Sequence, residues 1–593
     1  MNGTLGLITL PEKSAVKWEN EACPEFVPGQ FGKQPFPCML SFASARVVTS
    51  EKFSVGFGTM VRSRRIAVDV DPLDAQRAGL PPTRSQLPAD RMHRWLRRAL
   101  GATAWILGCI ALFACYLRIS FTAHVSSDGA NNALQAWDML HGHLLLHGWI
   151  LGDATYYTFE LPLLALTEIF FGLQVLTSHV AAALTYLIVT VIAVAIALTD
   201  SRGLARVARC GVVVLVLTAM FHVEPNTPYL LGAPDHTGTT AFLLVTFLLI
   251  DRAPARRYTS PLLLAILCAG QIGDATVRYV AVPAVVVVCV YRAVAARKIR
   301  TGDAANALAA VASVPLAAVV RALMLHFGGY QMIAPRTAIS PPGQWSHNAA
   351  IAWHALRVLF GAEAGPGSPS LASIAGYTLG IACLLAAAAG FARVVWTWRT
   401  ASRAEQLLCA AIVINLSAYV ISTMPIPSNP YEVVAVLPCG AILAARSVPG
   451  RITGTLRAGL ATGLAAVAAL LPLAIATPRS AAAQPTAPVS AWLEAHGLTY
   501  GLAGYWNSSI ITLQSGNRAR VRAVGVDGSQ VFPYFWESNT LWYDPSRNDP
   551  TFLIVDLSGI GLSPSAGQAF GKPTRIAHVA HYEILIYQKN LLR

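Results

Sequence analysis

Long apolar runs separated by short polar breaks dominate the chain between about residues 100 and 477. Most of these runs are close to the length, roughly 17–25 residues, that a helix needs to cross a bilayer. The pattern predicts eleven transmembrane helices, at about residues 101–121, 178–198, 211–225, 238–250, 260–273, 279–294, 304–322, 371–392, 406–424, 431–446 and 457–477. We therefore expect a multi-pass helical protein of the cell (plasma or cytoplasmic) membrane.

The sidedness of the chain follows from its basic segments. Residues 92–99, "MHRWLRRA", precede the first span and predict a cytoplasmic N-terminus, because basic loops stay on the cytoplasmic side. Alternation then puts the later arginine-rich breaks on the same side, provided that residues 158–173 do not cross the membrane. That segment is short and contains Glu160, Pro162 and Glu168, which favours a surface-lying or re-entrant helix.

The two ends of the chain differ in character from the apolar middle, residues 99–477. Residues 1–98 hold four of the seven lysines, and we interpret them as a disordered extension or a miscalled start. Residues 478–489 form a linker rich in Pro, Ala and Ser. Residues 490–593 contain the runs "RARVRAVGV", "TFLIVDL" and "YEILIYQK", which predict strands of a small α/β domain outside the cytoplasm.

Composition narrows the class of protein to which the chain can belong. The chain is 54% hydrophobic and 12% charged, with a net charge of +14. Most arginines lie in short breaks between spans, where they set orientation, so the positive charge does not predict a nucleic-acid partner. None of the ten cysteines lies in the last hundred residues, so neither a disulfide framework nor a CxxC metal site is indicated.

The first outside loop, residues 122–177, carries an unusual polar stretch. Residues 126–149 read "SSDGANNALQAWDMLHGHLLLHGW", and Leu134, Trp137 and Leu140 recur at helical spacing. We therefore predict an amphipathic helix on the outer leaflet, with one apolar face and one wet face. The other predicted outside breaks also collect polar residues, and ionisable groups at membrane depth usually mark function.

This layout resembles the GT-C superfamily of membrane glycosyltransferases. The resemblance is carried by a first span, an outside loop that opens with an acidic residue, "ANNALQAWDMLHGHLL", and a Pro-containing apolar half-span that ends in "FFG". The protein mannosyltransferase and aminoarabinose transferase-like families are closest in pattern. The chain departs from them after the acidic residue, where "SSDGANN" has no second acidic or aromatic residue.

The resemblance implies an all-α polytopic membrane domain of about eleven transmembrane helices, followed by a small α/β extracytoplasmic domain. It also implies transfer of a hexosyl or pentosyl group from a polyprenyl-phosphate donor. The acceptor would be a glycan, lipid or protein on the outer face of the cytoplasmic membrane. Such a reaction needs a carboxylate that takes the proton of the acceptor hydroxyl, and cations or hydrogen-bond donors that meet the leaving phosphate.

Asp128 is the candidate general base, because its position matches the acidic residue of the family. A helix N-cap explains an aspartate at this position equally well. Asp153, Glu160 and Asp235 are candidates for a second acidic residue or for ligands of a divalent metal ion, against ordinary loop charge or a turn.

Arg278, Arg336 and His236 are candidates for binding the donor phosphate. The alternatives are a helical salt bridge between Asp274 and Arg278, a surface arginine at 336 and a simple turn at "APDHTG". His141, His143 and His147 are read as interfacial residues rather than metal ligands, because the helix breaks at Gly142.

Two rival functions stay open at this stage. A transporter or flippase of a lipid-linked glycan would also span the membrane many times, but such proteins usually show internal repeats, and none is visible. A catalytically inactive relative that serves as a scaffold in cell-envelope assembly would fit the missing second acidic residue.

Overall fold

The structure is a computed structural model. It describes residues 87–223, 228–232, 236–252, 258–333, 337–363, 370–426, 430–477, 480–527, 530–559 and 561–593. Within these ranges the chain forms a helical domain followed by a small domain built on a sheet, which confirms the predicted fold class.

Apolar helices make up the first part of the chain. The helices of this part are α1 (Leu87–Ser120), α2 (Ser127–Leu140), α3 (Glu160–Phe171), α4 (Val175–Ala197), α5 (Leu204–Ala219), α6 (Thr237–Arg252), α7 (Thr259–Gly273), α8 (Val282–Ala295), α9 (Thr301–His326), α10 (Trp345–Leu359), α11 (Leu371–Trp396), α12 (Arg403–Ile421), α13 (Val436–Ser447) and α14 (Thr455–Ala476). Helix α1 begins at Leu87, so the helical domain starts before the boundary predicted at residue 98.

Each of the eleven predicted spans coincides with a helix. In the described part of the chain, eight helices are long and apolar enough to cross a membrane. The other three predicted spans correspond to α6, α7 and α13, which have 16, 15 and 12 residues. These three are shorter than a typical span, since a helix rises about 1.5 Å per residue.

Helix α3 occupies the segment that was predicted not to cross the membrane. Its 12 residues span only about 18 Å. Leu161 and Leu164 are buried against the protein, whereas Ile169 and Phe170 are exposed. A short helix with one packed face and one exposed apolar face is what an interfacial helix requires.

Helix α2 is amphipathic, as predicted, but its polar face is not wet. Asn131, Asn132 and Gln135 are each only 1% exposed. The helix packs against α3 on one side and, on the other, against α16 (Tyr505–Gln514) of the C-terminal domain. The prediction that this face is wet was wrong, because the sequence pattern does not reveal which domain covers the polar face.

The C-terminal domain begins with α15 (Ala487–Ala495), inside the predicted linker, and contains a six-stranded sheet. In spatial order the strands are β5 (Gln530–Pro533), β4 (Arg520–Asp527), β3 (Tyr500–Ala503), β7 (Phe552–Asp556), β9 (Tyr582–Ile586) and β8 (Arg575–Val579). Strand β3 pairs in parallel with β4 and β7, and the outer pairs are antiparallel. The three strands predicted from sequence are β4, β7 and β9.

A second, three-stranded sheet joins the two domains. Strand β1 (Trp149–Leu151), which follows α2, pairs in parallel with β2 (Gln331–Met332) and antiparallel with β6 (Ser538–Asn539) of the C-terminal domain. In the antiparallel pairing of β1 with β6, Ile150 lies opposite Ser538. This register fixes the residues next to β6 against the loops of the helical domain.

Candidate functional site

A cavity of about 610 Å³ lies between the loops at this end of the helical domain and the C-terminal domain. The helical domain contributes residues from the loop after β1, from the start of α6 and from the segment before α13. The C-terminal domain contributes the start of α16 and the segment before β6. Among the described residues, the ionisable ones other than tyrosine that line it are Asp128, Asp153, His236, Glu432 and Glu537.

Asp128 lines this cavity and does not cap α2. The N-cap is Ser126, whose hydroxyl accepts a hydrogen bond from the backbone N–H of Gly129 at 3.1 Å. The Asp128 carboxylate instead accepts a hydrogen bond from the hydroxyl of Tyr505 in the C-terminal domain. Burial raises the pKa of Asp128 above its usual value, and the hydrogen bond from Tyr505 partly opposes that shift. The N-cap interpretation of Asp128 is therefore wrong.

Glu537 completes a cluster around the Tyr505 hydroxyl. One Glu537 carboxylate oxygen lies 3.1 Å from the Tyr505 hydroxyl oxygen. The side-chain amide nitrogen of Asn131, on α2, lies 3.2 Å from each of these two oxygen atoms. Two carboxylates from different domains, Asp128 and Glu537, thus meet at one tyrosine. Burial and the two neighbouring carboxylates raise the pKa of Tyr505 well above its usual value, so this phenol stays protonated.

His236 brings a positive charge to the same cavity. Its Nδ1 lies 2.6 Å from the carboxylate of Asp274, which also accepts hydrogen bonds from the Thr239 hydroxyl and the Thr276 backbone N–H. Burial disfavours the imidazolium, but the Asp274 carboxylate outweighs that cost and raises the pKa of His236 well above its usual range. The same pairing lowers the pKa of Asp274 to about 2, although burial opposes this.

Glu160 lies beside this ion pair, and its carboxyl is hydrogen-bonded to the backbone. It is 3% exposed, and its carboxyl accepts a hydrogen bond from the Gly238 N–H at 3.0 Å. Burial raises the pKa of Glu160 to about 8, and the charge of Asp274 adds to the shift. The Glu160 carboxyl thus binds the backbone at the start of α6. Its role as a second acidic residue or metal ligand stays a prediction.

Asp153 and Glu432 face the cavity from the helical domain. Asp153 lies in the loop after β1, next to Ala154, whose backbone bridges to Asp274. Burial raises the pKa of Glu432, with the carboxylates of Asp274 and Asp153 adding to the shift and His236 opposing it. These groups make the cavity acidic around a single described imidazolium.

The structure does not bring all the predicted phosphate-binding residues together. Arg278 donates a hydrogen bond to the hydroxyl of Tyr279 and lies 4.6 Å from the centre of that ring, and it does not line the cavity. The alternative pairing of Arg278 with Asp274 is also not formed, because Asp274 pairs with His236. Arg336 and Asp235 lie outside the described residues.

Metal binding stays a prediction. Among the described residues, no three His, Cys, Asp or Glu side chains come together as metal ligands would. His141, His143 and His147 have separate partners, namely the carbonyl oxygen of Trp137, the carboxylate of Asp138 and the carbonyl oxygen of Gly328. All three side chains are exposed.

Backbone strain is found at the cavity. Among the described residues, eight non-glycine residues have positive φ angles, and three of these, Tyr156, His236 and Glu537, line the cavity. Each such conformation costs on the order of 1–3 kcal/mol and persists only where the surrounding structure imposes it. Tyr156, His236 and Glu537 are therefore held in place by the fold.

The sequence identified no site residue in the C-terminal domain, although Tyr505 and Glu537 of this domain line the cavity. Glu537 ends the aromatic run "FPYFWE", and Tyr505 lies in "GYWNS". An acidic residue beside such a run was a visible signal, because aromatic rings and carboxylates commonly line sugar sites. Nothing in the sequence placed it opposite Asp128. Glu432 belongs to a polar outside break that the sequence did flag as a segment.

The fold is that of a multi-pass membrane protein. Its C-terminal domain covers an acidic cavity, lined with aromatic residues, over the membrane helices. No family model and no curated protein matches the chain. Two solved structures of ArnT from Cupriavidus metallidurans are similar in fold. The structure bound to undecaprenyl phosphate has a TM-score of 0.46 at 12% identity, over 82% of this chain and 98% of that chain. The apo structure has a TM-score of 0.39 at 14% identity over the same shares.

Both likenesses are at low sequence identity and concern the fold alone.

Proposed function

We propose that this protein is a membrane glycosyltransferase that moves a sugar from a polyprenyl-phosphate donor to an acceptor at the outer face of the cytoplasmic membrane. The observation that carries the proposal is the meeting of Asp128 and His236 in one cavity at the membrane end that bears the C-terminal domain. The cavity offers a base on one side and a positive charge on another, and glycosyl transfer from a phosphate requires both.

Asp128 is the proposed general base. An acceptor hydroxyl is a poor nucleophile, so a carboxylate must remove its proton as the oxygen attacks the anomeric carbon. A base is most effective when its pKa lies near the working pH, and burial moves the pKa of Asp128 upward. Its second carboxylate oxygen stays available to an acceptor, because the hydrogen bond from Tyr505 engages Oδ1.

His236 is the proposed partner of the donor phosphate. The bond from the anomeric carbon to the phosphate oxygen breaks with its electron pair on the oxygen, so negative charge grows there. The imidazolium uses Nδ1 for Asp274, which leaves Nε2 as the nitrogen that can donate to the phosphate. Because Asp274 is itself held by Thr239 and Thr276, the imidazolium is fixed before the donor binds.

The remaining lining suits a sugar. Aromatic rings stack on the apolar faces of sugar rings, and carboxylates accept hydrogen bonds from sugar hydroxyls. The aromatic residues that line the cavity are Tyr156, Tyr431, Tyr505, Trp506, Tyr534 and Trp536. Met424 and Ile426 add an apolar wall from the segment after α12, beside which a lipid carrier would enter from the bilayer.

The test is consumption of donor by purified protein in lipid. A panel of radiolabelled polyprenyl-phosphate sugars, both hexosyl and pentosyl, would be incubated with the protein and with an extract of cell-envelope acceptors. We expect one donor to lose its sugar in a time-dependent way. Movement of intact donor between the leaflets of a sealed vesicle, without cleavage, would favour the transporter instead. Neither cleavage nor movement of any donor would favour the scaffold.

A further inference from the structure

The phenol oxygen of Tyr505 makes more contacts with carboxylate oxygens than its one hydrogen atom can serve. The phenol has one hydrogen, yet its oxygen lies within hydrogen-bond distance of both Asp128 and Glu537. Glu537 already accepts a hydrogen bond from the side-chain amide of Asn131, so we assign the phenol hydrogen to the contact with Asp128. The contact between Glu537 and the phenol oxygen then needs a proton of its own, because two ionised carboxylates facing one hydroxyl would repel each other.

We propose that Glu537 carries this second proton and, with Tyr505, forms a positioning pair that holds Asp128 ionised and oriented for proton transfer. This inference rests on the proposed function. In the resulting chain, the Glu537 carboxyl donates to the Tyr505 oxygen, and the Tyr505 hydroxyl donates to Asp128. The C-terminal domain is thus a part of the active site and not only a cover.

Burial supports the assignment of the proton to Glu537. Glu537 is 5% exposed, and an ionised carboxylate is costly away from water. Asp128 is more exposed than Glu537 and lies at the start of α2, where the positive end of the helix dipole favours a negative charge. Of the two carboxyls, Glu537 therefore lies in the environment that favours the neutral form more strongly.

The backbone fixes the pair. Glu537 has a φ angle of 48° and is followed directly by Ser538, which pairs with Ile150 in the sheet that joins the two domains. Asn131, on the helix of Asp128, contacts both Tyr505 and Glu537. The geometry thus depends on both domains, and a displacement of the C-terminal domain would remove the donor from Asp128.

The proton balance of the reaction leaves the pair unchanged. The acceptor hydroxyl gives its proton to the free oxygen of Asp128, a bond forms between the acceptor oxygen and the anomeric carbon, and the bond to the phosphate oxygen breaks. Asp128 later releases the proton to water, while Glu537 and Tyr505 keep theirs. Within the part of the chain that the structure describes, the other titratable groups facing the cavity are Asp153, Tyr156, His236, Tyr431, Glu432 and Tyr534.

Three variants test the pair through the pH profile of kcat/KM. Glu537→Gln keeps an N–H donor in place of the protonated carboxyl, so we expect kcat/KM within about threefold of the wild type. Glu537→Leu and Tyr505→Phe remove a donor and should lower kcat/KM about tenfold at neutral pH. The acid limb of the Tyr505→Phe profile should move to higher pH, because Asp128 loses the hydrogen bond that lowers its pKa. If Glu537→Gln abolishes turnover while Asp128→Asn does not, Glu537 is the base and the assignment is reversed.

A spectroscopic measurement separates this inference from the proposed function. Infrared spectra of the resting protein at neutral pH would be compared between the wild type and Glu537→Gln. We expect the variant to lose one carbonyl band of a protonated carboxyl. In wild-type protein grown with glutamate labelled with ¹³C at the side-chain carboxyl, that same band should shift. This result would stand even if no donor is consumed. Loss of no band, or of a band that the label does not shift, would overturn the proposal.

Discussion

At the residue scale, the ion pair between His236 and Asp274 places two opposite charges in a buried part of the site. Asp274 is 4% exposed and His236 is 9% exposed, so each charge depends on the other. Removing one partner of a buried pair typically costs about 3–5 kcal/mol, because the remaining charge is left uncompensated.

We therefore expect Asp274→Asn to lower the thermal unfolding temperature of the purified protein markedly. The double variant His236→Gln with Asp274→Asn should lose less stability than the sum of the two single variants, since the contacting groups are coupled. Thermal unfolding of the four proteins in the same detergent measures this coupling. Strict additivity would show that the two side chains do not interact.

Glu160 predicts a pH dependence of stability. Its pKa in the folded protein is about 8, above the usual value of 4.5. The folded protein therefore holds a proton that the unfolded chain releases, so the contribution of Glu160 to stability is full below about pH 4.5 and is lost as the pH rises towards 8. Glu160→Gln cannot ionise.

The stability of the wild type relative to Glu160→Gln should accordingly fall between about pH 4.5 and 8. Thermal unfolding across that range measures the difference. Two curves that stay parallel would contradict the raised pKa of Glu160.

The sequence was sufficient to predict single residues of the site, but it did not show which of them lie close together in the fold. Asp128, Asp153 and His236 were nominated as polar residues of outside loops, and all three line one cavity. Arg278 was nominated by the same reasoning and lies elsewhere, because loop position does not determine which way a side chain points. Glu537 lies more than 400 positions from Asp128, so only the folded chain joins them.

At the element scale, close contacts between helices depend on glycine. A Cβ at residue 390, on α11, would lie 2.6 Å from the carbonyl carbon of Leu443 on α13. Backbone atoms cannot move aside as a side chain can, so the two helices would have to separate. Small residues commonly allow such an approach between membrane helices.

Gly390→Ala should therefore destabilise the protein by about 1–3 kcal/mol. Gly459→Ala is the matched control, because a Cβ at that position on α14 meets no atom within 4 Å. Thermal unfolding of both variants in one detergent tests the contact. Equal unfolding temperatures for the two variants would contradict the packing of α11 on α13.

Hydrophobic periodicity was sufficient to place the elements but not their surroundings. Every predicted span corresponds to a helix, and α3 was recognised as too short and too acidic to cross. The polar face of α2 was expected to face water, yet it packs against α16. Periodicity reveals that a helix has two faces, whereas the partner of each face depends on long-range packing.

At the scale of the whole molecule, the cavity must face outward if it is to act on an acceptor at the outer face of the membrane. The arginine-rich breaks predict that the C-terminal domain is extracytoplasmic. Single cysteine variants at two exposed residues test this sidedness, Lys572→Cys in the C-terminal domain and Arg451→Cys between α13 and α14. A membrane-impermeant maleimide should label the first in intact cells and the second only after permeabilisation. The reverse pattern would place the cavity in the cytoplasm.

A comparison of three proteins tests whether Asp128 is the base of a glycosyl transfer. Release of labelled sugar from a polyprenyl-phosphate donor would be measured for the wild type, Asp128→Asn and Asp549→Asn, after equal folding is established by thermal unfolding. Asp549 is an exposed loop residue of the C-terminal domain and serves as the control. We predict near-complete loss of turnover in Asp128→Asn and unchanged turnover in Asp549→Asn. Equal turnover by all three proteins would contradict this prediction.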